Sequence, residues 1–137
     1  MSVGRICSRE IDIAEANETA RDAARRMHQR DVGTLVVLND DRQPIGLVTD
    51  RDLVCRVLAP PRDPETTRVG EIMTTNPKVL REDSPIEGAL GLMRAGSFRR
   101  VPIVDASGRL VGILTLDDVL ALLAEEFGHI GGLLERQ

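Results

Sequence analysis

The chain has 137 residues, 42% of them apolar and 29% charged, with a formal net charge of −4. Length allows one domain or two small repeats sharing a core, and the apolar content speaks against wholesale disorder. The mildly acidic balance and near-absence of aromatics (two Phe, no Trp, no Tyr) speak against a basic nucleic-acid footprint and against base-stacking platforms.

The opening MSVGRICSREID carries no apolar leader. A helix is expected from about Thr19 to Arg30, then a strand Leu35–Leu38, a turn Asn39–Arg42, a strand Ile45–Val48 and a helix from Thr49. Ala59 to Glu65, with three prolines, cannot continue a helix and reads as a linker. Beyond it, Lys78–Leu80 reads as a short extended piece. A helix follows, with Ser84 as cap, Pro85 as first residue, Glu87 as capping-box partner and Gly96 as terminator. Val101–Val104 is a strand, Asp105–Gly108 a turn and Leu110–Leu114 a second strand. Thr115 opens the last helix, with an expected core stripe at Leu116, Val119, Leu120, Leu123 and Phe127.

These elements repeat. Gly46 in PIGLVTDRDLV and Gly112 in LVGILTLDDVL stand 66 residues apart. The same offset pairs Val3 with Val69, Gly4 with Gly70, Ala23 with Ala89, Met27 with Met93, Thr49 with Thr115 and Asp52 with Asp118, without a gap from Val3 to Leu58. The expected organisation is repeat 1 over residues 1–58, a Pro-rich linker over 59–67, repeat 2 over 68–127 and a tail over 128–137. The expected fold class is α+β: two β-α-β-β-α repeats about a pseudo-twofold axis.

Thr49-Asp50-Arg51-Asp52 and Thr115-Leu116-Asp117-Asp118 each open a helix directly after a strand. Free amides and the positive dipole end there favour a phosphate, Thr offers a hydroxyl, and an Asp one turn on can accept both hydroxyls of a ribose. The same T-x-x-D spacing is also a helix cap needing no ligand. No second His or Cys stands at metal spacing from His129, its glycine cluster is no P-loop, and adjacent Asp117 and Asp118 diverge too far for acid–base partnership. No metal is therefore expected. Cys7 and Cys55 form no C-x-x-C pair and the longest apolar run, Val119–Ala124, is too short to span a bilayer. A soluble protein of a reducing, cytoplasmic compartment is expected, with no membrane or nucleic-acid partner.

The segments VGTLVVLNDDRQPIGLVTDRDLV, FRRVPIVDASGRLVGILTLDDVL and VGEIMTTNPKVL resemble a tandem pair of CBS domains, the Bateman module, over about residues 3 to 127. That resemblance implies a regulatory module without catalytic chemistry. It implies adenosyl ligands (AMP, ADP, ATP, NAD-type dinucleotides or S-adenosylmethionine) in two clefts between the repeats. It carries the ribose and phosphate roles onto Thr49, Asp52, Thr115 and Asp118. Basic residues before the Val-Pro of a strand point at phosphates in such proteins, which nominates Arg99 and Arg100 beside Val101 and Pro102. Gly33 and Thr34 replace them in repeat 1, so the clefts are expected to differ. Ile13, Val32, Val79 and Val101 are candidates for an adenine slot, with core packing as the alternative. The resemblance also implies a homodimer through the last helix of each repeat, serving an unknown regulated partner. The rival readings are a dimerising scaffold without ligand and a small nucleotide hydrolase using Asp52 or Asp118. The latter lacks a metal cluster, a base and a nucleophile.

Overall fold

The computed structural model describes residues 1–96 and 99–135. Its elements run α1 (Val3–Ile6), β1 (Ile13–Glu15), α2 (Ala20–Arg30), β2 (Thr34–Leu38), β3 (Pro44–Thr49) and α3 (Asp50–Leu53), which continues as a π-helical turn, Val54–Leu58. After the proline-rich stretch come α4 (Val69–Ile72), β4 (Thr74–Thr75), β5 (Leu80–Arg81), α5 (Ile86–Ala95), β6 (Arg100–Val104), β7 (Leu110–Thr115) and α6 (Leu116–Glu135).

In each repeat a parallel pair flanks a helical crossover and an antiparallel hairpin follows. Ile13 pairs with Val36 in β1–β2, and Leu80 with Ile103 in β5–β6. The hairpins β2–β3 and β6–β7 share one register, with Thr34 opposite Thr49 and Arg100 opposite Thr115, and each has its irregularity just before the turn. The alternation of side chains across β2 explains its unbroken apolar run. Leu35 and Val37 enter the core beneath α2, while Val36 and Leu38 face the other way into a cluster with Leu110, Ile11, Leu47 and Ile113. That second cluster joins the two sheets.

The ends of the repeats are exchanged. Val3 is fully buried in the core of repeat 2 with Ala89, Val101, Ile103, Leu114 and Val119. Val69 and Ile72 fill the core of repeat 1 beside Ala23, Met27, Leu35 and Val37. Backbone bonds fix the exchange twice over: Val3 N–H donates to Ser84 O at 2.9 Å and Gly4 N–H to Glu82 O at 2.9 Å, while Val69 N–H donates to Glu18 O and Gly70 N–H to Ala16 O, both at 2.8 Å. β4 completes the sheet of repeat 1 as its fourth strand, through Leu47 opposite Thr74, and Ser8 bridges Ile113 in the same way in the other half. Gly46 and Gly112 are required by these crossings, because a Cβ at Gly46 would collide with Met73 Sδ and one at Gly112 with Cys7 Sγ.

Three local readings change. Ser84 does not cap α5; Pro85 holds that position without a side-chain cap, and Ile86 N–H donates to Met1 O at 3.0 Å. The exchanged N-terminal segment thus supplies a carbonyl where a hydroxyl was expected. Gly96 follows α5 in extended, not left-handed, backbone (φ −154°). In α6 only Val119 of the expected stripe is fully buried. Leu120, Leu123 and Phe127 are 53%, 38% and 70% exposed, because α1 and the rest of the repeat 2 core reach only one edge of the helix. Among the described residues no helix is long and apolar enough to cross a membrane.

Candidate functional site

Both T-x-x-D segments form reciprocal capping boxes. Asp52 N–H donates to Thr49 Oγ1 at 3.1 Å and Thr49 N–H to Asp52 Oδ2 at 2.9 Å. Asp118 N–H donates to Thr115 Oγ1 at 3.1 Å and Thr115 N–H to Asp118 Oδ2 at 3.0 Å. The two alternatives read from the sequence are therefore compatible. The cap uses Oδ2 of each aspartate and a lone pair of each hydroxyl. It leaves the Thr O–H hydrogen free to donate, and Oδ1 of Asp118 outside the cap. Asp52 Oδ1 faces Arg56 Nε at 3.6 Å, an i,i+4 pair at the rim.

Thr115 and Asp118 line a cleft of about 330 Å³ between the halves. Repeat 2 contributes these two with Arg100 and Ile113. Repeat 1 contributes Asp31, Val32, Gly33, Thr34 and Val36 from the end of α2 and the start of β2, and Ser8, Glu10, Ile11 and Asp12 from the stretch before β1. The volume is within the range that holds a nucleoside. The backbone arrives here for local reasons. Asp31 ends α2 in the left-handed region (φ 54°), which an Asp tolerates better than most residues. Gly33 packs its α-carbon against the Asp50 carboxylate, and Asp50 N–H donates to Gly33 O at 3.0 Å. The Thr34 hydroxyl is buried and, among the described residues, has no hydrogen-bond partner. Asp12 is held by Arg30 at 2.9 Å, and this bond raises the Arg30 guanidinium pKa above its ordinary value. Arg26 grips Glu18 through two 2.8 Å bonds, its pKa raised first by that hydrogen bonding, and also donates to Ile13 O, tying α2 to β1 beside the cleft.

Five of the nominated residues thus meet in one cleft: Val32, Gly33, Arg100, Thr115 and Asp118. Arg99 lies next to it, with Arg100, Thr115, Leu116 and Asp117 around a recess of about 180 Å³, and its carbonyl accepts from Leu116 N–H at 2.8 Å. Thr49 and Asp52 occupy the related position in the other half. Val101 and Pro102 are buried in β6, Val101 inside the repeat 2 core. Ile13 is 37% exposed and lines two other depressions along β1, one of which shares Ile11 and Asp12 with the cleft, and Val79 is 39% exposed between β4 and β5. Sequence reading did not nominate Ser8, Glu10, Asp12, Asp31 or Thr34. The offset was the available signal, since it places Ser8 opposite Thr74 and Thr34 opposite Arg100, but only the exchange of segments shows which half each serves.

The CBS-domain family model matches residues 3–59 and 69–125. An uncharacterised protein of Methanopyrus kandleri is 35% identical over 120 residues, which are 88% of this chain and 61% of that one, so the chain spans about three fifths of this relative's length. The crystal structure of Hypoxic Response Protein I with two coordinated zinc ions has a TM-score of 0.79 and 31% identity, covering 88% of this chain and 98% of that one. CBSX2 in complex with AMP has a TM-score of 0.78 and 28% identity, covering 90% and 96%. The zinc structure corrects the expectation of a metal-free module. That expectation rested on ligand spacing along the chain, whereas metal ligands converge in space and need no spacing in sequence. Two matched segments at the 66-residue offset, the shared sheet register and the likeness to solved CBS pairs lead to one statement: the chain belongs to the CBS-domain family, as a tandem pair.

Proposed function

We propose that the chain is a non-enzymatic regulatory module that binds an adenosyl ligand between its repeats and signals through a partner or its own dimer in the cytoplasm. The observation that carries this reading is the joint lining of one 330 Å³ cleft by Thr115, Asp118 and residues of repeat 1. A ligand there touches both halves, so its binding energy is available to shift their relative packing. Asp118 Oδ1 and the Thr115 hydroxyl serve the ribose and Val32 and Val36 the base. Arg100 in the same lining and Arg99 in the adjoining recess take the phosphates of a nucleotide such as AMP, ADP, ATP or NAD, and Thr49 and Asp52 take the ribose at the related position of the other half. The AMP-bound CBSX2 neighbour supports this class of ligand.

The homodimer is argued from α6. Leu116, Leu120, Leu123, Phe127, Ile130 and Leu134 recur at alternating steps of four and three, the spacing of a helix–helix seam, and Leu120, Phe127, Ile130 and Leu134 are each more than half exposed. Val54 and Leu58 extend the apolar surface from repeat 1. Mass spectrometry of small molecules released by denaturing freshly purified protein tests the ligand reading. An adenosyl compound in molar proportion is expected. Its absence, together with no melting shift on adding AMP, ADP, ATP, NAD or S-adenosylmethionine to stripped protein, would leave the scaffold reading.

A further inference from the structure

The two halves close their exchanged helices with different arginines. α4 and α1 are four residues each, so their last carbonyls lack intrahelical partners. In repeat 1, Arg56 Nη1 donates to Ile72 O at 2.9 Å and to Met73 O at 3.4 Å. In the other half, Arg9 Nη2 donates to Gly4 O at 2.8 Å and Nη1 to Val111 O at 3.1 Å. The two arginines are not counterparts, because the 66-residue offset carries Arg9 to Thr75 and Arg56 to Leu122. Arg56 also faces a T-x-x-D aspartate, its Nε 3.6 Å from Asp52 Oδ1, whereas among the described residues no guanidinium pairs with Asp118. One side chain thus links Asp52 to the exchanged segment, and Asp118 has no such link.

Asp52 Oδ2 already accepts from Thr49 N–H, so Oδ1 is the oxygen left to a ribose hydroxyl, and it is the one that the guanidinium faces. A hydroxyl donating there competes with the cation. The same guanidinium holds Ile72, a core residue of repeat 1, and Met73, which packs against Gly46 and leads into β4. We infer that Arg56 is a positioning residue that lowers the affinity of the Thr49–Asp52 half and couples its occupancy to the exchanged α4–β4 segment. A ribose hydroxyl takes Oδ1 from Arg56, the side chain loses one of its anchors, and its clamp on Ile72 and Met73 loosens. Coupling is reciprocal, so whatever tightens α4–β4 weakens the ligand at Asp52. The Thr115–Asp118 half, with Leu122 at the related position, carries no such brake. The inference rests on the adenosyl reading above.

The experiment titrates ligand-stripped Asp118→Asn protein with adenosine, a probe without phosphates for the guanidinium to attract. Arg56→Gln keeps a donor for Ile72 O and removes the charge facing Asp52, and Arg56→Leu removes both. Adenosine is expected to bind about two- to fivefold more tightly when either substitution is added, the worth of a half-exposed ion pair. A purely structural role would weaken binding or leave it unmoved, so the sign of the change separates the two. With Arg56 in place, adenosine should also speed amide hydrogen exchange over residues 73–75, and Arg56→Gln should remove that response. Affinity unchanged or lowered in both variants, or exchange over 73–75 unmoved by adenosine, overturns the inference and leaves the adenosyl reading standing. No adenosine binding in any of the Asp118→Asn proteins, with wild type still binding adenosine or AMP, overturns the inference and confines the adenosyl reading to the Asp118 half. No binding of adenosine or AMP to wild type overturns both.

Discussion

Val3 stands two residues from the N-terminus, where a substitution ordinarily does little. In this fold it is fully buried in the core of the opposite repeat, so Val3→Ala should behave as a core truncation. Removing two buried carbons costs about 1.6 kcal/mol by transfer, and the residual cavity brings the total to about 2 kcal/mol. For a chain of this length, with about 2.1 cal/mol/K of unfolding entropy per residue, that is a fall in Tm of about 7 °C. Calorimetry is the suitable assay, since the chain has no Trp or Tyr. Val69→Ala, its counterpart in the repeat 1 core, should cost a similar amount. Coupling then identifies the core. Val3→Ala with Val119→Ala shares one cluster and should depart from additivity by about 0.5 kcal/mol or more, whereas Val3→Ala with Val57→Ala should add. A Val3→Ala variant melting within about 2 °C of wild type, or coupling to Val57 in place of Val119, would refute the exchange of segments.

Phe127→Glu places a charge on the most exposed large apolar side chain of α6, so it should abolish the proposed dimerisation in sedimentation at micromolar concentration while leaving Tm in dilute solution nearly unchanged. Burial raises the Cys7 thiol pKa above its ordinary 9.0, with nearby Arg9 opposing, whereas Cys55 is exposed. Alkylation near pH 8 should therefore label Cys55 first, as read by peptide mass spectrometry. The sign for stability follows: Cys7 holds its proton more tightly when folded, so its contribution is complete below the unfolded thiol pKa and is lost as pH rises through the raised folded value. Cys7→Ala should flatten that alkaline decline.

The strands, the hairpin turns and the start of α2 were legible because each is written locally: unbroken apolar runs in β2 and β6, alternating burial in β3 and β7, Gly108 in the left-handed region (φ 82°), and the Thr19 hydroxyl accepting from Asp22 N–H. The offset also exposed the pseudo-symmetry. It could not show the exchange of segments, because matched apolar residues at Val3 and Val69 state that both are buried and not in which core. For the same reason the cleft was only half legible. Thr115 and Asp118 carry a chemical pattern on one helix, but Glu10, Asp31 and Thr34 reach them only through tertiary packing. The missed α5 cap has the same origin, since the carbonyl of Met1 lies 85 residues from the amide it accepts. The outer stripe of α6 was read as core because periodicity reports an apolar face and not what covers it.

The proposed binding of an adenosyl ligand between the repeats, at the two T-x-x-D helix starts, is open to titration calorimetry of ligand-stripped protein with AMP, ADP, ATP, NAD and S-adenosylmethionine, comparing wild type with Asp52→Asn, Asp118→Asn and the double variant. At least one compound should bind wild type, each single variant should weaken one site by about tenfold or more through loss of charge-assisted bonds to the ribose, and the double variant should lose both. Binding of unchanged affinity in the double variant, or no heat with any of the five, would rule out an adenosyl site at these helix starts.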